Sequence, residues 1–353
     1  MTRVAINGFG RIGRNAFKIA MEKDDIEIVA INDLTDNQTL AYLLKHDSNY
    51  GEYHKDVSYD DKNLTIGYYD AENDRVEKKV IPIFAEKDPA KLPWGKLDVD
   101  VVIESTGFFT HHDDLKLHLK AGAKKVVLSA PEKDDNLVHH DTYLVGVNEL
   151  ALAADHDIIS NASCTTNCIT PIAAVIEQHL GIQKAMMTTV HSYTASQALQ
   201  DGPTKGDIRE TRAAAENIVP TTTGATLAAA KALPALEGIF TGLSIRVPTP
   251  VVSLSDFTFL TKKNTSIEQV NDLIKQAAET PLLKGVLSWT DEELVSSDFV
   301  GDPHSCIADL NLTNVVGDNM VKVVAWYDNE WGYSNRLVEM VQLAGKTTAQ
   351  NKK

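Results

Sequence analysis

Gly8-Phe9-Gly10-Arg11-Ile12-Gly13 follows the apolar run Val4–Asn7 and precedes a segment in which Ile12, Ala16, Ile19 and Ala20 are spaced for one helix face. A GxGxxG pattern alone is a weak signal, but strand, turn and helix in that order make it a phosphate cradle. The first glycine allows the tight turn, the second lets backbone approach a pyrophosphate, and the third lets the helix pack close. The helix N-terminus then offers its amides and the positive end of its dipole to an anion. Such a turn calls for an acid about 20 residues later, to accept hydrogen bonds from a ribose diol. Asp33 stands there, at the end of the run Glu27–Asn32, followed by Leu34 and not by an arginine. A carboxylate at that place repels a 2′-phosphate, so the expected cofactor is NAD and not NADP.

Outward from this turn, short β-branched runs recur at Val99–Ile103, Lys125–Leu128 and Tyr143–Val145, with helix-forming segments between several of them. Runs apolar at nearly every position are what a parallel sheet covered on both faces requires. The expected fold is α/β: a Rossmann-type doubly wound parallel sheet, then an α+β catalytic domain with a mostly antiparallel sheet. Between Asn49 and Pro93 polar stretches such as Tyr59-Asp60-Asp61-Lys62-Asn63 suggest inserted hairpins or loops. Past Asn161 the spacing predicts a helix at Ile169–His179, a strand at Ala185–Val190 and a long polar stretch from His191 to Arg212. Further strands are expected at Leu243–Val247, Val251–Leu260 and Met320–Tyr327, with helices at Thr226–Leu233 and Ile267–Thr280. The last helix, Ser334–Ala344, has Leu337, Met340, Val341 and Ala344 on one stripe and must pack on something.

The 353 residues are enough for two domains and a large core. A composition 43% hydrophobic and 24% charged excludes disorder, collagen and coiled coil. The net charge of −15 repels nucleic acid and anionic membranes, so neither is an expected partner. No apolar stretch approaches the ~18 residues of a membrane span, and the N-terminus does not read as a signal peptide. Three cysteines imply no disulfide framework, and a cytoplasmic location is expected.

Cys164, in Ser163-Cys164-Thr165-Thr166-Asn167-Cys168, lies at or just before a helix N-terminus, where amides and a nearby imidazole lower a thiol pKa and make a nucleophile. Cys168, one turn on, and Cys306 read as small buried residues. No paired Cys or His motif completes a metal site around Cys164 and Cys168, so no metal is expected. His111, His112, His118, His139 and His140 sit in charged stretches and are expected to be exposed. His191 differs, because it ends an apolar strand and opens a polar segment, where a base can project into a cleft.

Together these residues resemble the glyceraldehyde-3-phosphate dehydrogenase family, the phosphorylating, NAD-dependent glycolytic type, over essentially the whole chain. The resemblance is carried by NGFGRIGR at Asn7–Arg14, STGFF at Ser105–Phe109, SAP at Ser129–Pro131 and NASCTTNC at Asn161–Cys168. It continues with HSYT at His191–Thr194, RAAAENIVPTTTGA at Arg212–Ala225, RVPTPVVS at Arg246–Ser253 and WYDNEWGYSNR at Trp326–Arg336. It implies Cys164 as nucleophile, with a thiohemiacetal and then a thioester on its sulfur, and His191 as the base. It implies Thr194 and Arg246 for the substrate phosphate, and Ser163, Thr165, Thr223 and Gly224 for the attacking inorganic phosphate. For NAD it implies Gly8, Gly10, Gly13, Arg11 and Ile12 at the pyrophosphate, Asp33 at the adenine ribose, Ser129 at the nicotinamide ribose and Asn329 at the carboxamide. Lys87 replaces a common arginine among the cofactor residues.

The resemblance further implies an NAD-binding domain of 1–162 and 329–353, a catalytic domain of 163–328, glyceraldehyde 3-phosphate and inorganic phosphate as substrates, and a homotetramer. The chain departs from the family pattern at Thr194-Ala195-Ser196-Gln197 and at Arg209-Glu210-Thr211-Arg212, where Glu210 puts a negative charge in place of a frequent cation. Two alternatives stay open at this point. One is a dehydrogenase of the same architecture that uses erythrose 4-phosphate or transfers its acyl group to water; the other is an NAD-binding redox sensor or surface binding module.

Overall fold

Strands β1 (Thr2–Asn7) and β2 (Ile26–Asn32) pair in parallel because helix α1 (Arg11–Ala20) carries the chain back between them. The computed structural model describes residues 1–70, 74–133 and 142–350. The chain divides into two units, Met1–Asp141 with Leu152–Asn161 and Leu337–Lys353, and Thr142–Ala151 with Ala162–Arg336.

In the first unit, α2 (Asn37–Lys45) is capped by Asp36 and leads into a small antiparallel pair, β3 (His46–Asp47) with β4 (Gly51–Glu52). The expected insertion is a meander of β5 (Asp56–Tyr59), β6 (Asn63–Asp70) and β7 (Arg75–Phe84), antiparallel to one another. The alternation then resumes with β8 (Val101–Glu104), α3 (His112–Lys120), β9 (Lys125–Leu128) and β10 (Ile158–Ser160). The sheet order is β10-β9-β8-β1-β2-β7-β6-β5, parallel from β10 to β7. Strands β8 and β9 are buried at every position, as a sheet covered on both faces demands. The meander, by contrast, alternates or lies exposed.

Two local expectations fail. Tyr143–Val145 forms no strand; Leu144 packs with Ala162, Ala228 and Ala232 in the second unit, and β10 takes the last parallel place. His118 is fully buried in spite of its charged neighbours, while His139 and His140 lie outside the described residues.

The second unit is built on a mostly antiparallel sheet in the order β12-β13-β11-β14-β18-β16-β15, with β17 beside β18. Its strands are β11 (Ile182–Ser192), β12 (Val219–Thr221), β13 (Phe240–Val247), β14 (Ser253–Thr261), β15 (Leu287–Thr290), β16 (Cys306–Asp309), β17 (Asn314–Val316) and β18 (Met320–Tyr327). Alternate residues of β14, such as Phe257 and Phe259, turn to one core with Val321, Val323 and Ala325 of β18. Against them pack α4 (Cys164–Leu180), α5 (Ala225–Ala232) and α6 (Ile267–Ala278), through Ile169, Ile172, Ile176, Ala229 and Ile274. Helix α7 (Trp331–Gln350) runs longer than its apolar stripe, and Leu337, Met340, Val341 and Ala344 are all buried. Among the described residues no helix is long and apolar enough to cross a membrane.

Candidate active site

The nucleophile candidate sits where a helix begins. Ser163 is the N-cap of α4, its hydroxyl oxygen accepting from the Thr166 amide at 3.1 Å, so Cys164 is the first helical residue. Ala162, just before the cap, holds the left-handed conformation at φ 53°, and its carbonyl accepts from the Tyr333 hydroxyl. The chain thus turns sharply before the cysteine.

Strand β11 brings the second residue. His191 is buried near its end, with Nε2 3.5 Å from Cys164 Sγ. On the far side of the ring, Nδ1 lies 2.7 Å from the Ser192 carbonyl oxygen and 2.6 Å from Arg246 Nη1. Arg246 stands opposite His191 in the parallel pairing of β11 with β13. A guanidinium only donates, so when Arg246 holds Nδ1 the ring proton is on Nε2, facing the sulfur. When Nδ1 instead donates to Ser192, Nε2 becomes an acceptor.

The electrostatics follow from burial. His191 is pushed down to about 3, first by burial and then by the Arg246 charge, against the pull of the Ser192 carbonyl. Burial pushes the Cys164 thiol up, opposed by Arg246, by the Thr165 hydroxyl and by the amides of Thr165 and Cys164. That is opposite to the lowering expected from the helix start, because the sequence shows the donors but not the surrounding protein. Cys168 and Cys306 are buried with thiols raised by burial, as their structural reading predicts.

Several partners carried no sequence signal. The buried Tyr327 hydroxyl bridges Thr165 Oγ1 at 3.0 Å and Thr189 Oγ1 at 2.8 Å, and its ring meets His191 edge-on. Thr189 lies two residues before His191 on the strand, the one hint periodicity could have given. Asn329 Oδ1 accepts from Ser192 Oγ at 2.9 Å and Ser253 Oγ at 3.1 Å, which leaves its NH2 as the group able to meet a ligand.

The other residues of the expected anion sites are placed separately. Thr194 is half-buried, its hydroxyl 3.1 Å from Ser196 Oγ and its amide donating to Gln197. Gly224 caps α5, and Thr223 Oγ1 accepts from the Ala225 amide. Glu210 is buried and its carboxyl group accepts from Thr221 Oγ1 at 3.0 Å, so it is turned into the protein. Arg209 is exposed and Arg212 pairs with Asp201.

In the first unit the carboxyl ends of β1, β2 and β8 surround a cavity of about 540 Å³, lined by Gly8, Gly10, Asp33, Lys87, Thr106 and Phe109 among others. Its position at the strand ends is where doubly wound sheets bind ligands. Gly8 has φ 92°, and a Cβ there would lie 2.6 Å from the Thr106 nitrogen. A Cβ on Gly13 would overlap the Gly8 carbonyl oxygen, whereas one on Gly10 meets nothing within 4 Å. The two outer glycines are therefore required by packing and the middle one opens on space. Arg11 and Ile12 begin α1, and the Arg11 guanidinium pairs with Asp47 at 2.7 Å, so its amide is what the helix start offers to an anion. Asp33 accepts from the Phe9 amide at 2.7 Å and the Thr35 amide at 2.9 Å. Each oxygen keeps a lone pair for a diol. Ser129, at the end of β9, gives its amide to the Glu104 carbonyl and is not among the lining residues. The glycine cradle, the helix start and the carboxylate fit a dinucleotide.

Comparison with known proteins agrees with this geometry. The family description "Glyceraldehyde 3-phosphate dehydrogenase, NAD binding domain" matches residues 2–112, and that of the C-terminal domain of the same enzyme matches residues 163–329. A glyceraldehyde-3-phosphate dehydrogenase of Mycolicibacterium smegmatis is 51% identical over 352 residues, 98% of this chain and 99% of the relative. One of Priestia megaterium is 50% identical over 96% of this chain and 97% of its own. Glyceraldehyde-3-phosphate dehydrogenase 1 of Bacillus subtilis is 49% identical, with 98% of each chain covered.

Proposed function

The chain belongs to the glyceraldehyde 3-phosphate dehydrogenase family, and from that premise we propose the residue roles by which it oxidises glyceraldehyde 3-phosphate to an acyl phosphate with NAD and inorganic phosphate. The observation that carries the reading is the 3.5 Å approach of Cys164 Sγ to His191 Nε2.

With Nδ1 donating to the Ser192 carbonyl, Nε2 accepts the Cys164 thiol proton as the sulfur attacks the aldehyde carbon, and the imidazolium passes that proton to the former carbonyl oxygen, giving the thiohemiacetal hydroxyl and the neutral ring. The Cys164 amide and the imidazole are the donors that meet the oxygen of the thiohemiacetal. Arg246 and Thr194 receive the substrate phosphate. Drawing the guanidinium toward that dianion frees Nδ1 to donate to Ser192, and Nε2 then accepts the proton of the thiohemiacetal hydroxyl. NAD, when bound, supplies the hydride acceptor. The thioester left on Cys164 is attacked by inorganic phosphate held by Ser163, Thr165, Thr223 and Gly224, which releases the acyl phosphate and restores the sulfur.

Gly8, Gly10, Gly13, Arg11 and Ile12 hold the pyrophosphate, Asp33 and Lys87 the adenosine end, and Ser129 and Asn329 the nicotinamide end. The NAD-binding domain is 1–162 with 329–353 and the catalytic domain 163–328; the compact units differ from these bounds chiefly at residues 142–151 and 329–336. A cytoplasmic homotetramer is the assembly we assign, supported by the exposed Leu199, Ile208 and Ile218 in the segment after His191.

The assay that tests this is NADH formation from glyceraldehyde 3-phosphate and NAD, with and without inorganic phosphate and again with NADP. Turnover that needs both phosphate and NAD is expected. NADH formed equally well without phosphate would make water the acceptor and remove the roles given to Ser163, Thr165 and Thr223. Asp33→Ser is expected to weaken NAD binding about tenfold and to narrow the preference over NADP, read by calorimetric titration of both nucleotides. An unchanged ratio of the two affinities would refute the part given to Asp33.

A further inference from the structure

Beneath the glycine turn lies a group of buried polar side chains that the reaction above does not use. Glu104, the last residue of β8, and His118, in α3, are both 0% exposed. Glu104 Oε2 accepts from Asn7 Nδ2 at 2.6 Å and faces His118 Nε2 at 3.0 Å. Its other oxygen, Oε1, accepts from the Thr106 amide at 2.8 Å and the Thr106 hydroxyl at 2.5 Å. Trp94 Nε1 donates to His118 Nδ1 at 3.0 Å. An indole only donates, so the His118 proton is on Nε2 and is given to Glu104. The carboxylate therefore has four donors, which is how an ionised group survives without water.

From Glu104 the network runs along the floor of the cavity. Asn7 Oδ1 accepts from Asn32 Nδ2 at 2.7 Å, and the Asn32 amide is bound in turn to both backbone groups of Glu86, next to Lys87. On the other side, Thr106 and Ser105 form the peptide against which Gly8 is packed, and Ser105 Oγ donates to the Gly8 carbonyl at 2.7 Å. Asn7, Asn32, Glu86, Ser105 and Thr106 all line the cavity.

We propose that Glu104 is a positioning residue for NAD, a buried carboxylate that ties the ends of β1, β2 and β8 together and sets the turn against which the pyrophosphate lies. This rests on the NAD reading of the cavity. Glutamine in its place keeps the shape but must turn an NH2 toward one of two donor pairs. One pair includes a backbone amide and the other includes the Trp94-fixed His118, so neither can reverse its polarity. Ligand groups displaced by a fraction of an ångström lose charged hydrogen bonds, each a matter of roughly tenfold in affinity.

The test is calorimetric titration of NAD into the full chain, beside the rate of Cys164 alkylation by iodoacetamide without NAD. Glu104→Gln is expected to weaken NAD binding at least about tenfold while the alkylation rate stays unchanged. His118→Gln, which can still donate to Glu104, is expected to bind NAD more tightly than His118→Leu. Wild-type affinity in folded Glu104→Gln overturns the proposal, as does a fall in alkylation rate as large as the loss of affinity, which marks general damage. If Glu104→Gln does not fold, Thr106→Val, which removes one donor, is read in the same way, and unchanged NAD affinity there is equally fatal. Failure of the wild type itself to bind NAD would sink the NAD reading together with this one, whereas normal wild-type binding with unaffected variants sinks this one alone.

Discussion

Cys164→Ser is expected to lower kcat by at least about 10⁴-fold, since the covalent route through a thioester has no substitute when its nucleophile becomes an unactivated hydroxyl. The change is one atom in size. Ser163 still caps α4 through the Thr166 amide, and neither Cys164 nor any chain neighbour of it lines the cavity proposed for NAD. NAD affinity by calorimetry is therefore expected to stay near wild type while steady-state NADH formation vanishes. Full activity in the serine variant would end the thioester mechanism.

His191→Asn is expected to reduce kcat about 10²- to 10⁴-fold, the usual contribution of a placed general base. It carries a second, independent signature in stability. The buried ring of His191 takes up a proton only at about 3 when folded. In the unfolded chain it does so near 6.5. Between those values the unfolded state binds more protons, so wild-type stability falls as pH drops below about 6.5, and His191 contributes no such loss above it. Urea midpoints measured near neutrality and at about pH 5 should differ less in His191→Asn than in the wild type. Equal differences would mean that the ring is not held neutral.

Much of the fold is legible because its signals are local. The glycine turn, the acid after β2 and the apolar parallel strands are each set by a few adjacent residues, and so is the capped start of α4. What stays hidden depends on burial or on pairing across long stretches of chain. Tyr327 meets Thr165 and Thr189, and Arg246 reaches His191, only because β11, β13, β14 and β18 lie side by side. Glu104 and His118 escape for the same reason. His118 is set among Asp113, Asp114, Lys116 and Lys120, which reads as a solvated face, yet it lies three residues from the buried Leu115 and shares its inward side of α3. The segment Tyr143–Val145 has strand-like residues but sends Leu144 into the core of the second unit, which no local pattern announces. The Cys164 thiol is the electrostatic counterpart, because its donors can be read from sequence and its desolvation cannot.

The Asp33 carboxylate, proposed above to hold a ribose, also serves the turn itself, for it accepts from the Phe9 amide between the first two glycines as well as from the Thr35 amide. A change of nucleotide preference in this fold is thus a two-residue problem. A substitution that merely welcomes a 2′-phosphate orphans a backbone N–H in the turn, and the variant would accept the larger nucleotide on a slackened cradle. An exchange made together with a new acceptor for that amide is the route along which such a preference could drift without loss of affinity.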